Sequence, residues 1–129
     1  MNTIVFNKDN EPSDVISEEK RTLDKVTMEI KEGTLTRKGA TIIIKDKNTN
    51  PYTYGKYYRI DKKENGEWKK LEPIIDNYAF EEIAYLSKNG ILEMKHDWSI
   101  IYGSLDNGEY RLVKSQYEDG EFFVEFKID

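Results

Sequence analysis

The chain has 129 residues, of which 37% are hydrophobic and 35% charged, with no cysteine, one histidine and a formal net charge of -5. That length is one domain's worth of chain, and the missing cysteines exclude a disulfide scaffold, zinc ribbons, iron–sulfur clusters and thiol chemistry. A single histidine argues against His-rich metal sites and His-based acid–base chemistry, and the net acidity against a nucleic-acid binder, which needs a basic face.

No stretch approaches the roughly eighteen apolar residues of a membrane helix, so no membrane span is expected. The start, Met1-Asn2-Thr3-Ile4-Val5-Phe6, is followed at once by polar residues and lacks the basic and long apolar regions of a signal peptide. The expectation for location is the cell envelope or exterior if a leader has been removed, and the cytoplasm otherwise. Residues 1–24 read as a polar lead-in or linker, with Pro12, Ser13, Asp14 and the run Glu18-Glu19-Lys20-Arg21 leaving little to bury. Residues 25–129 read as the folded domain.

From Val26 onward the pattern has a period of two. Val26, Met28 and Ile30 alternate with Thr27, Glu29 and Lys31, which predicts a half-buried strand. Ala40-Thr41-Ile42-Ile43-Ile44 is β-branched and nearly all apolar, as a central strand would be. Asn48-Thr49-Asn50-Pro51 is a turn cluster. A hairpin follows, with strands over residues 57–63 and 67–71 around Glu64-Asn65-Gly66. A two-residue turn would pair Lys63 with Trp68. A bulged three-residue turn would pair Lys62 with Trp68 and bury the indole beside Ile60, and this form is favoured here.

Residues 72–90 are irregular and fit a short helix or a bent strand. Leu92, Met94, His96 and Trp98 share one face of the next strand, and residues 99–105 form a connecting turn. Residues 110–117 and 122–128 complete the chain, with Phe122, Val124, Phe126 and Ile128 on one apolar face. About seven short strands with turns at this spacing predict an all-β, two-sheet antiparallel sandwich. Val26, Ile42, Ile44, Ile60, Trp98, Tyr110, Leu112, Val124 and Phe126 would build its core.

Leu105-Asp106-Asn107-Gly108-Glu109-Tyr110-Arg111-Leu112 has the spacing of a tyrosine corner, in which a phenol bonds backbone a few residues upstream. Leu112 stands where an antibody domain carries its second cysteine, so the clamp here is apolar. With Gly39-Ala40-Thr41-Ile42-Ile43-Ile44, Tyr52-Thr53-Tyr54-Gly55, Asn65-Gly66-Glu67-Trp68 and Asp97-Trp98-Ser99, this ordered set resembles a bacterial immunoglobulin-like domain family of Gram-positive bacteria. The resemblance spans roughly residues 25–129, one domain of about 100 residues. It implies an immunoglobulin-like sandwich with Tyr110, Leu112 and Trp98 in structural roles. It also implies a non-catalytic extracellular module, of the kind found in envelope lipoproteins or appended to membrane sensor peptidases.

Chemical motifs are few. Asp46-Lys47-Asn48-Thr49-Asn50 opens like a calcium loop, but Pro51 replaces the required glycine and Tyr57 the bidentate glutamate, so a turn is expected. Glu18-Glu19 and Glu81-Glu82 have no spacing that aims two carboxylates at one bond. His96 is expected as a packing residue, with Asp97 on the opposite face of the strand. No catalytic residue, metal ligand or cofactor is expected. The aromatic cluster offers the best contact surface, with Tyr52, Tyr54 and Tyr57 as candidate binding residues for a protein or cell-surface ligand. The rival expectation is a small acidic cytoplasmic protein that binds and inhibits a basic protein partner.

Overall fold

A computed structural model describes residues 20–129, together with two short strands, β1 (Ile4–Val5) and β2 (Val15–Ile16), which pair antiparallel. The rest of the polar lead-in lies outside the described residues. Its last part is tied down: the Asn48 side chain accepts from the Thr22 backbone N–H and donates to the Thr22 carbonyl.

Seven strands make the sandwich. One sheet has the order β3 (Val26–Ile30), β4 (Gly39–Asp46), β9 (Ile91–Asp97). The other has the order β11 (Glu121–Ile128), β10 (Gly108–Ser115), β6 (Arg59–Glu64), β7 (Glu67–Lys70). All pairings are antiparallel. The period-two pattern is the cause, because one face of each strand supplies the core. Ala40, Ile42 and Ile44 of β4 are buried, as are Met94 of β9, Ile60 of β6, and Tyr110 and Leu112 of β10. Of the core residues read from the sequence, eight are buried, and Val124 is partly buried against them.

The tyrosine corner is present. Gly108 brings the chain into β10, and the Tyr110 hydroxyl donates to the Asp106 carbonyl at 2.8 Å. Beside it the Phe126 ring stacks between Trp98 and Tyr110, at centroid distances of 5.5 and 5.6 Å. The Trp98 indole N–H donates to the Arg37 carbonyl, and the Arg37 guanidinium donates to the Leu105 and Asp129 carbonyls and the Asn107 side chain. Every polar group in this part of the core thus has an internal partner, and a single turn of helix, α1 (Ser99–Tyr102), leads out of it.

The β6–β7 hairpin corrects the expected register. Lys63 pairs with Trp68 and Glu64 with Glu67, so the turn is the two-residue Asn65-Gly66 form. Both residues have positive φ, 52° and 81°, which matches a type I′ turn and the twist of the strands it joins. That geometry outweighs the gain from burying an indole beside Ile60. Trp68 therefore lies on the outer face, where the Arg111 guanidinium sits 4.8 Å from its ring centroid and 5.0 Å from that of Phe123. Asp61 is held beneath by Arg59 and Arg111. Burial pushes its carboxyl up, but the hydrogen bonds from the two guanidinia win and hold it below the ordinary carboxylate value.

Residues 71–90 contain no helix. They run as a strap between β7 and β9, the edge strands of the two sheets, and its only described strand, β8 (Tyr85–Leu86), pairs with β5 (Thr53–Tyr54). Without an apolar period the segment cannot bury a regular face, and it is held by scattered contacts instead. One is the Ile74 N–H donating to the Ile101 carbonyl.

Candidate functional site

The strap walls two concave surfaces. Phe80 wedges into an aromatic nest, with its centroid 5.3 Å from Tyr57, 5.3 Å from Tyr58 and 5.1 Å from Tyr78, all edge-on. Such edge-to-face contacts place ring hydrogens against ring faces and add to the β5–β8 pairing in holding the strap. On one side of Phe80 lies a cleft of about 930 Å³, walled by Tyr57, Tyr78, Ile83 and Tyr117 and reaching Lys114. On the other is a smaller cleft of about 310 Å³ that reaches His96. The larger volume is within the usual range for small-molecule sites.

The three tyrosines singled out in the sequence fare differently. Tyr57 is 54% exposed and stands at the cleft. Tyr54 is only 1% exposed, and its hydroxyl donates to Asp46 at 2.7 Å. Tyr52 is also buried, with its hydroxyl donating to Asp119. Burial and the Asp119 carboxylate push the Tyr52 phenol up to about 12, and burial with Asp46 raises Tyr54 further. Of the three, Tyr57 is the one whose ring stands open to solvent, while Tyr52 and Tyr54 are buried members of the core.

Asp46 explains why. It occupies the inward-facing parity of β4, after Ala40, Ile42 and Ile44, and its carboxylate takes four donors: the Asn48 N–H and side-chain amide, the Tyr52 N–H and the Tyr54 hydroxyl. Burial pushes its carboxyl up, but those bonds outweigh it and leave it below its ordinary value. The calcium-like loop is thus a turn built around an internally saturated carboxylate.

Two basic side chains lie under the strap. His96, on the inner face of β9, packs against Tyr58 with centroids 4.3 Å apart, and its buried Nε2 has no hydrogen-bond partner among the described residues. Burial, with the Lys114 ammonium nearby, pushes its pKa from 6.5 down to about 3, so the ring is neutral. Asp97 is exposed and bonds Ser99. Lys114 follows Tyr110 and Leu112 on the inner parity of β10 and is 3% exposed. Its Nζ donates to the Tyr57 carbonyl at 3.0 Å and lies 6.0 Å from the Tyr58 ring centroid. Among the described residues no carboxylate lies within ion-pair distance of it. Burial lowers its pKa to about 8.

Lys114 was not singled out from the sequence, although its signal was present: a charged residue two positions after Leu112 on an inward-facing row. Phe80 and Tyr78 had no such signal, because the strap has no period.

Against known proteins, residues 22–127 match the bacterial Ig-like domain. The chain belongs to this family. Its Ig-like fold accounts for the two sheets and the tyrosine corner, while the strap and its clefts are read from this chain's own residues. No curated protein and no solved structure matches the chain. Among the described residues no three His, Asp or Glu side chains are grouped to hold a metal ion, and no helix is long and apolar enough to cross a membrane.

Proposed function

We propose that this Ig-like domain is a non-enzymatic interaction module of the Gram-positive cell envelope, working outside the membrane, and that it engages its partner at the cleft beside the strap. In this reading residues 1–24 are a lead-in and residues 25–129 the binding domain. Tyr57 makes the contact, while Tyr52 and Tyr54 brace the loop that presents it. Family membership supports the module role. The observation that bears most on the site is the 930 Å³ cleft walled by the exposed Tyr57 together with Tyr78 and Tyr117. Tyrosines combine a large apolar face with a hydroxyl at low entropic cost, which suits recognition of protein or cell-surface ligands.

The test is capture from an envelope extract and, in parallel, from cytosol, using the purified chain and its Tyr57→Ala variant. A partner retained from the envelope and lost with Tyr57→Ala, at an unchanged denaturation midpoint, supports the reading. Retention that ignores Tyr57 moves the contact off the cleft. A specific cytosolic partner released by salt would instead favour an acidic inhibitor of a basic protein.

A further inference from the structure

The environment of Lys114 specifies what the cleft binds, given the reading that it is the binding site. A lysine ammonium has three N–H donors, and here one is used, on the Tyr57 carbonyl. Its charge is buried with no counterion among the described residues. The basic group packed nearest across Tyr58, His96, is neutral and supplies no negative charge. At the cleft rim Lys56 and Glu81 form an ion pair and cancel each other, and Glu82 adds one further acidic group there. Buried charges without partners are costly, so an unneutralised cation at the back of a cleft is a place where an anion gains more than it would at an exposed lysine.

We propose that the cleft receives the C-terminal carboxylate of a peptide ending in an apolar or aromatic residue, with Lys114 pairing the carboxylate and the Tyr57, Tyr78 and Phe80 rings taking the last side chain. Charge selects a carboxylate over a phosphate: a single cation in a cleft that also carries Glu82 leaves a dianion under-compensated. The cleft volume accommodates a terminal side chain and its neighbouring residue.

The experiment is an amide-resolved NMR titration of the full chain with a short peptide ending in phenylalanine, the same peptide with a C-terminal amide, and N-acetylphenylalanine. Lys114→Met and Lys114→Gln are run beside the parent, their spectra reporting that they fold. The proposal expects shifts confined to residues 53–57, 78–84 and 114–117 with the free-acid peptide. Replacing the acid by the amide, or Lys114 by Met or Gln, should weaken binding about ten- to a hundredfold, the worth of a charged hydrogen bond. Equal binding of acid and amide, or indifference to Lys114, overturns the carboxylate assignment and leaves the cleft as the binding site. Binding of N-acetylphenylalanine as tight as the peptide would replace a peptide end by a small free acid. Shifts on another face, or none with any probe, overturn the cleft reading as well.

Discussion

The tyrosine corner and the strap region use similar residues to opposite ends. At the corner, Trp98, Tyr110 and Phe126 stack, and each polar atom they bring inward meets a backbone carbonyl: Trp98 at Arg37, Tyr110 at Asp106. At the strap, Tyr58, Phe80 and Tyr57 also pack together, yet among the described residues His96 Nε2 has no partner and Lys114 holds a charge without a counterion. The corner is saturated and its chemistry is finished. The strap side keeps unspent hydrogen-bonding capacity beside open volume, which costs stability and leaves something for a ligand to satisfy. That difference is the physical basis of the proposed site.

The comparison can be broken from either side. The largest effect is expected at the packed centre: Leu112→Ala should cost about 2–5 kcal/mol in urea unfolding, since a fully buried side chain leaves a cavity. On the strap side the sign should reverse. Lys114→Met keeps most of the stem and removes the buried charge, so it should raise stability by about 1–3 kcal/mol; a loss would mean that the ammonium is better compensated than its neighbours indicate.

His96 gives a pH test. Its folded pKa of about 3 lies below the ordinary 6.5, so between those values the unfolded chain binds a proton that the folded one does not. Stability therefore falls as pH drops from 6.5 toward 3, by at most about 1.4 kcal/mol per pH unit. His96→Phe should flatten the upper part of that decline, where carboxylates with ordinary values near 3.8 are still ionised. An unchanged slope between about pH 6.5 and pH 5 would show that the imidazole is not buried as neutral. The smallest effect belongs to the corner, where Tyr110→Phe should lower stability by about 0.5–1.5 kcal/mol through one hydrogen bond. A midpoint identical to the parent would remove the corner's claim to be a clamp.

Much of the sandwich was legible because alternation is a local property. Val26, Ile42, Leu112 and Phe126 declare their face by parity alone, and the glycine-to-tyrosine spacing at Gly108 and Tyr110 announces the corner. The hairpin was legible in existence but not in register, because a one-residue difference at Asn65-Gly66 exchanges faces, and the positive φ of both residues decided it. Trp68 accordingly stacks on Arg111 outside the core. Which of the candidate tyrosines is buried was not legible. Tyrosine suits an interior with a polar partner as well as a surface, and Asp46 claimed Tyr54 from eight residues away.

By itself, then, the sequence determined an antiparallel sandwich with an apolar clamp at Leu112, a tyrosine corner at Tyr110 and membership in a bacterial Ig-like family, since period, turn spacing and residue type are written along the chain. Tertiary structure decided which tyrosine stays exposed, where Trp68 points, how residues 71–90 bridge two sheet edges, and that Lys114 and His96 meet around Tyr58. Those outcomes depend on which distant residues compete for the same buried space and the same hydrogen bonds, and that competition has no local signature.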